Sequence, residues 1–311
     1  MANAQRRLLV AAQWILAGAV LWFALRSVDG QWRVAGSRLA ALNVEWSWIA
    51  AATVIVLLTY LLLIDAWRRV VTASGQQISL GNAARIWFVS NLGKYVPGKI
   101  WSITAMTMMA RQSSVSPVAA AGSSVLMQLV SIATGIGVVL ATGAHAVDRP
   151  FVAVGVAVAL ALLLIATPLL LPAAISVAAR VVGREIDVPR LAGVTVLGAV
   201  VRSTVSWIAY GVAFQFFVRG LLGRSAGAPT SYIAVYAASY IIGFLALFAP
   251  GGAVVREGAM VTGMLRLGLT GQADAVVVAI ASRLWLTVLE LLPGFAYLAM
   301  SKRASQSIAD R

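Results

Sequence analysis

Two stretches decide how this chain folds: Asn91-Leu92-Gly93-Lys94-Tyr95-Val96-Pro97-Gly98-Lys99 and Pro250-Gly251-Gly252-Ala253-Val254-Val255-Arg256-Glu257. Each sets a Pro-Gly pair and charge into the middle of an apolar run, residues 80–110 and 231–267. Proline removes a backbone donor and clashes with the preceding turn, and glycine adds backbone freedom. A helix broken this way inside lipid exposes polar backbone. That is tolerated only where protein covers it or a hydrated cavity meets it. Both runs are therefore predicted to be re-entrant helical hairpins, or discontinuous helices, facing the interior of a membrane protein.

The composition sets that membrane context. Of 311 residues, 61% are hydrophobic and 11% charged, and the mean hydropathy is +0.91. Soluble domains are about 45–50% apolar even with glycine counted, and about 25% charged. A soluble fold has too little polar surface here to cover itself, which excludes an ordinary cytosolic enzyme, a disordered chain and a disulfide scaffold. The net charge of +14 comes from Lys and Arg scattered between apolar runs, not gathered in one patch, so nucleic acid is not an expected partner. The chain has no Cys and one His, His145, so thiolate and His-rich metal sites are excluded, and no cofactor is expected. Arg6 and Arg7 precede an apolar run that is long and lacks a clear small-residue cleavage site, which reads as a retained first helix, not a cleaved signal.

Working outward from the breaks, six stretches match the roughly 20 apolar residues a membrane helix needs: 8–25, 46–66, 116–142, 150–172, 190–218 and 275–299. Each half then reads span, span, broken hairpin, span. Pro97 and Pro250 are 250 − 97 = 153 positions apart, about half the chain. Three crossings per half is odd, so the second half starts on the opposite side. The expected fold is an all-α integral membrane domain over 1–311, with six full spans and two re-entrant Pro-Gly-broken hairpins. It forms two inverted repeats, about 1–145 and 146–300, followed by a short cytoplasmic tail at 301–311. Such repeats are typical of secondary transporters. The competing reading is two unrelated kinks, since Gly and Pro are common in membrane helices.

Placing both termini in the cytoplasm of a cell-membrane protein gathers Arg6, Arg7, Arg68, Arg69, Arg85, Arg111, Arg180, Arg184, Arg190, Lys302, Arg303 and Arg311 on that side. Fewer lie outside: Arg26, Arg33, Arg38, Arg149, Arg219, Arg224 and Arg266. The excess agrees with the positive-inside tendency. Trp46, Trp48, Trp67 and Trp87 fall near span ends, where indole rings favour the interface.

What remains at membrane depth is Lys94, Lys99, Arg202, Arg256, Arg283, Asp65, Glu257 and Glu290. A charge at the bilayer centre costs about 2.5–3.5 kcal/mol on insertion scales, so these groups must pair, snorkel or line a hydrated interior. Arg283 and Glu290, seven apart, share one face of the last helix. Arg256 and Glu257 open the half-helix after the second break, while Lys94 and Lys99 flank the first. Half-helix N-termini and basic side chains together make a site for a phosphate-sized anion, and in so apolar a chain that anion reads as a lipid head group. The plainer reading is a set of structural ion pairs. Asp65 fits a local interfacial pair with Arg68 and Arg69, and Lys94 and Lys99 could snorkel. Arg202 lies beside Ser203, Thr204 and Ser206 in mid-helix. Gly135-Ile136-Gly137 lacks the rest of a dinucleotide fingerprint; the small residues along Val118–Gly137 fit close helix packing.

The two break motifs together resemble the lysylphosphatidylglycerol synthase/flippase transmembrane family, as a stand-alone member. The resemblance runs from the first span to the last. It implies a lipid-translocase fold with re-entrant elements and a polar cavity, whose lipid path includes Lys94, Pro97, Gly98, Lys99, Pro250, Gly251, Gly252, Arg256 and Glu257. One departure is local: the family often has a further glycine before the Arg-Glu pair, where this chain has Val254 and Val255. The other is length: no aminoacyl-transfer domain is expected after the last span. The expected role is moving an anionic or zwitterionic lipid, or a polyprenyl-phosphate-type lipid, between leaflets. The alternatives are a membrane enzyme on a lipid-linked phosphate or sugar, and a non-transporting lipid-binding protein. The partner is a membrane lipid, with a homo-oligomer or a lipid-modifying enzyme as further candidates.

Overall fold

The structure, a computed structural model, describes residues 42–93, 100–143, 192–246, 252 and 254–309. The expected spans 8–25 and 150–172, and Lys94, Pro97, Gly98, Lys99, Pro250 and Gly251, lie outside them. The described residues form eight α-helices and no strand. They are α1 (Trp46–Ala73), α2 (Leu80–Leu92), α3 (Ile100–Gln112), α4 (Pro117–Thr142), α5 (Gly193–Leu222), α6 (Pro229–Leu245), α7 (Val255–Arg266) and α8 (Gln272–Ala309). Four are long and apolar enough to cross a membrane: α1, α4, α5 and Gln272–Met300 of α8.

Local chemistry explains where helices start and stop. Ser79 and Ser116 accept from Asn82 N–H and Ala119 N–H at the starts of α2 and α4, satisfying donors that have no partner in the first turn. Pro117 and Pro229 occupy first-turn positions, where a missing N–H costs nothing. Gly223 ends α5 with φ 69°. The spans run past the boundaries read from hydropathy. α1 continues through Arg68 and Arg69 to Ala73 because Asp65 neutralises both arginines one turn back.

Large apolar side chains are exposed in stripes at helical spacing: Val54, Leu58 and Leu61 on α1; Val125 and Leu129 on α4; Val194, Leu197, Val201, Val205 and Ile208 on α5; Leu284, Val288, Leu292 and Phe295 on α8. An outward apolar stripe on so many long helices is what hydrocarbon surroundings demand. The inward faces bury Val56, Tyr60, Ile64, Phe214, Tyr232 and Met260 in one continuous core.

The most extensive helix contact is α1 against α5, and the two run antiparallel. Glu45 N–H donates to Gly220 O at 2.8 Å, Trp48 meets Phe216 edge-on, Tyr60 meets Tyr210 and Asp65 meets Arg202. α2 packs on α3, α3 on α4, α6 on α7, and α7 on α8. α4 lies against α6, and α8 lies against α2. The helices on either side of each Pro-Gly break therefore pack on one another. Close approach depends on small residues: a Cβ on Gly135 would fall 2.8 Å from the Trp207 ring. The seam there is tied by Trp207 Nε1–H donating to Ser131 O at 2.9 Å and by a 2.8 Å bond between the Thr134 and Ser203 hydroxyls. The expected indole belt is corrected at two positions. Trp67 is buried and donates to the Ser124 hydroxyl. Trp87 packs against Tyr60 and Phe88. Each indole is better satisfied against another helix than at an interface.

Candidate functional site

The charged side chains separate into three levels along the α1–α5–α8 axis. The first level is at the Ala73 end of α1. Asp65 accepts from Arg68 Nε–H at 3.1 Å and Nη2–H at 2.8 Å, and from Arg69 Nε–H at 2.6 Å. Arg202 reaches across from α5, with Nε 3.6 Å from Asp65 and Nη1–H donating to Gly198 O. The local triplet read from sequence is present, and Arg202 joins it from another helix.

The middle level is built on Arg256, the second residue of α7. Its guanidinium lies over the rings of Tyr236 (5.4 Å) and Tyr240 (5.0 Å), and the residue is only 8% exposed. A guanidinium so far from water needs electrostatic partners. The rings of Tyr236 and Tyr240 supply part of this, and Glu257 and Glu290 contribute as well. The Glu290 carboxylate is also within electrostatic reach of Tyr60, Tyr210 and Tyr236. Tyr210 stacks on Tyr236 at 5.4 Å, and Tyr60 packs on Trp87, Phe88 and Tyr210. Tyr60 is the fifteenth of the 28 residues of α1, so this level sits at the middle of the helix. Tyr240 is exposed and links the level to the molecular surface.

The third level pairs Arg283 Nε with Glu257 Oε1 at 3.8 Å, between α8 and α7. Arg283 and Glu290, seven apart, fall on one face of α8, and Arg283 reaches across to Glu257 on α7. At 1.5 Å per residue, Asp65 lies about 8 Å from the level of Tyr60, and Arg283 about 10 Å from the level of Glu290. Two buried polar atoms have no hydrogen-bond partner among the described residues: Tyr60 Oη and Glu257 Oε2.

The second break sets the position of Arg256. Gly252 has φ +71°, and a Cβ there would lie 2.5 Å from Gly243 O. A Cβ on Gly243 would lie 2.6 Å from Arg256 Cβ. The turn therefore folds tightly onto α6 because two glycines meet face to face. Val254 then takes φ 70°, ψ −47°, close to a strained γ-turn and costly for a β-branched residue. The valine read as a departure from the family pattern thus stands where the backbone favours glycine.

The profile of the lysylphosphatidylglycerol synthase TM region matches residues 7–294. The chain belongs to that family. No curated protein matches it. Within the lysylphosphatidylglycerol synthase TM family, the arrangement joins Gly252, Arg256, Glu257, Arg283 and Glu290 into one connected region and leaves Asp65 and Arg202 in another. It also adds Tyr60, Tyr210, Tyr236 and Tyr240, which charge and break motifs did not single out. A signal for part of this set was available: Tyr236 and Tyr240, four apart, present two polar-tipped rings on one face of an otherwise apolar helix. Among the described residues no three His, Cys, Asp or Glu side chains are placed to hold a metal ion. A separate recess of about 320 Å³, lined by Asn43, Glu45, Arg224 and Asp274, lies at the Trp46 end of α1, away from Arg256.

Proposed function

We propose that this multi-pass membrane protein moves an anionic or zwitterionic lipid between leaflets, as a translocase and not an enzyme. The observation that carries the reading is Arg256, at the start of α7, buried against two tyrosine rings and near two acids, in the same aromatic cluster as Tyr60 at the middle of the 28-residue α1. If α1 spans the bilayer, that level is near the midplane, where transporter sites lie and where a charge is retained only for a use. The phosphate of a lipid head group suits the planar guanidinium, with the acyl tails remaining in lipid outside.

The packing supports two inverted halves. Exchanging α1 to α4 for α5 to α8 maps α1–α2 onto α5–α6, α2–α3 onto α6–α7, α3–α4 onto α7–α8, α1–α4 onto α5–α8, and α4–α6 onto α8–α2, all of them observed contacts. The self-paired helices α1 and α5 are antiparallel, as inversion requires. The first break, with Lys94, Pro97, Gly98 and Lys99, would complete the path from the other half. Pro250 and Gly251 would shape the second. Asp65 and Arg202 stand on one side of the central level, and Glu257 and Arg283 on the other.

The test is reconstitution into vesicles, with leaflet accessibility of the lipid that co-purifies with the protein. Protein-dependent exchange that falls at least tenfold in Arg256→Ala, with an unchanged size-exclusion profile, is the expected result. Equal exchange in that variant would remove Arg256 from the mechanism. Binding without exchange would replace transport by lipid binding alone.

A further inference from the structure

We propose that Tyr60, from the first half of the chain, is a head-group-binding residue whose hydroxyl donates to a phosphate oxygen held by Arg256. The inference rests on the translocase reading and names a residue and a ligand group within it. Tyr60 is 2% exposed, and its hydroxyl has no hydrogen-bond partner among the described residues. Buried tyrosine hydroxyls ordinarily find a partner, because an unmade bond carries the full desolvation penalty.

The surroundings say which partner fits. The ring is fixed by Trp87 at 5.4 Å, Phe88 at 5.8 Å and Tyr210 at 6.2 Å, so the hydroxyl cannot swing out to water. Its neighbour Tyr210 stacks on Tyr236, and the Tyr236 ring lies under the Arg256 guanidinium, so Tyr60 borders the surroundings of Arg256. A neutral O–H donor beside a buried cation suits an oxyanion: the cation supplies charge and the hydroxyl a directed bond. Phosphate is the oxyanion a lipid head group offers, and free inorganic phosphate offers the same chemistry.

Tyr60→Phe tests this with opposite signs for the two roles. A hydroxyl with no partner among the described residues adds no hydrogen bond to the free protein there, so the variant should melt at the same temperature or higher. Purified wild type and Tyr60→Phe are titrated in detergent with short-chain phosphatidylglycerol, short-chain phosphatidylethanolamine and inorganic phosphate. The same proteins are assayed for exchange of the fluorescent forms of both lipids in vesicles made of equal parts of the two. The inference expects lipid binding about tenfold or more weaker in Tyr60→Phe, with a matching fall in exchange and undiminished stability. Wild-type binding that Tyr60→Phe reproduces overturns it, as does a variant that is destabilised with unaltered affinity. Saturation of wild type by inorganic phosphate alone overturns the lipid source. Wild type that binds and exchanges neither lipid overturns the translocase reading, and this inference with it.

Discussion

A single valine holds the least comfortable backbone of the second break. Val254, at φ 70° and ψ −47°, crowds a branched side chain against its own carbonyl, at a cost of order 1–3 kcal/mol. Val254→Gly removes that strain and returns some unfolded-state entropy. A net gain of about 1 kcal/mol is expected, read as a higher melting temperature in detergent. A lower one would mean that the valine side chain contributes more by packing than its backbone costs. The tyrosines carry a different lesson. Tyr60, Tyr210, Tyr236 and Tyr240 carry no charge to mark them in the sequence, and only the fold shows that the rings of Tyr236 and Tyr240 lie against one guanidinium, with Tyr210 and Tyr60 packed behind them. The charges of the site were legible in the sequence because lipid makes each of them conspicuous. Their pairing was not: Arg283 with Glu257 and Arg202 with Asp65 each depend on how two helices distant in sequence face one another.

At the scale of elements, the α6–α7 hairpin is a mount for Arg256. Its precision rests on Gly243, which leaves no room for a Cβ 2.6 Å from that of Arg256. Gly243→Ala should push α7 away from α6, destabilise the protein by about 1–3 kcal/mol, and lower lipid exchange. If the functional loss acts only through Arg256, combining Gly243→Ala with Arg256→Ala should lower exchange no further than Arg256→Ala alone; additive losses would assign Gly243 a separate role. The long helices α1, α4, α5 and α8 were readable from length and hydropathy. So were the two interruptions, since α2 stops at Leu92 and α6 at Leu245, just before each Pro-Gly pair. The extra turns at the ends of α1 and α5 were not, because they need Asp65 beneath Arg68 and Arg69, and Trp48 beneath Arg219 at 4.3 Å.

At the scale of the whole molecule, the α4–α5 seam ties the two proposed halves together through Thr134, Ser203, Ser131 and Trp207. The closest point is Gly135, where a Leu would collide with Trp207 and Ile241. Gly135→Leu should therefore cost stability by several kcal/mol or prevent folding, seen as loss of a monodisperse peak. The level of Arg256 also has an electrical consequence. Halfway along a spanning helix, a group feels about half of the transmembrane voltage, and one elementary charge crossing 100 mV exchanges about 2.3 kcal/mol with the field. A head group with zero net charge would pass Arg256 without electrical work. One bearing a single negative charge would be driven away from the negative side. Under an imposed potassium diffusion potential, exchange of phosphatidylglycerol through this protein should thus become directional, while that of phosphatidylethanolamine should stay symmetric. The membrane voltage, with no nucleotide consumed, would then set which leaflet gains the lipid.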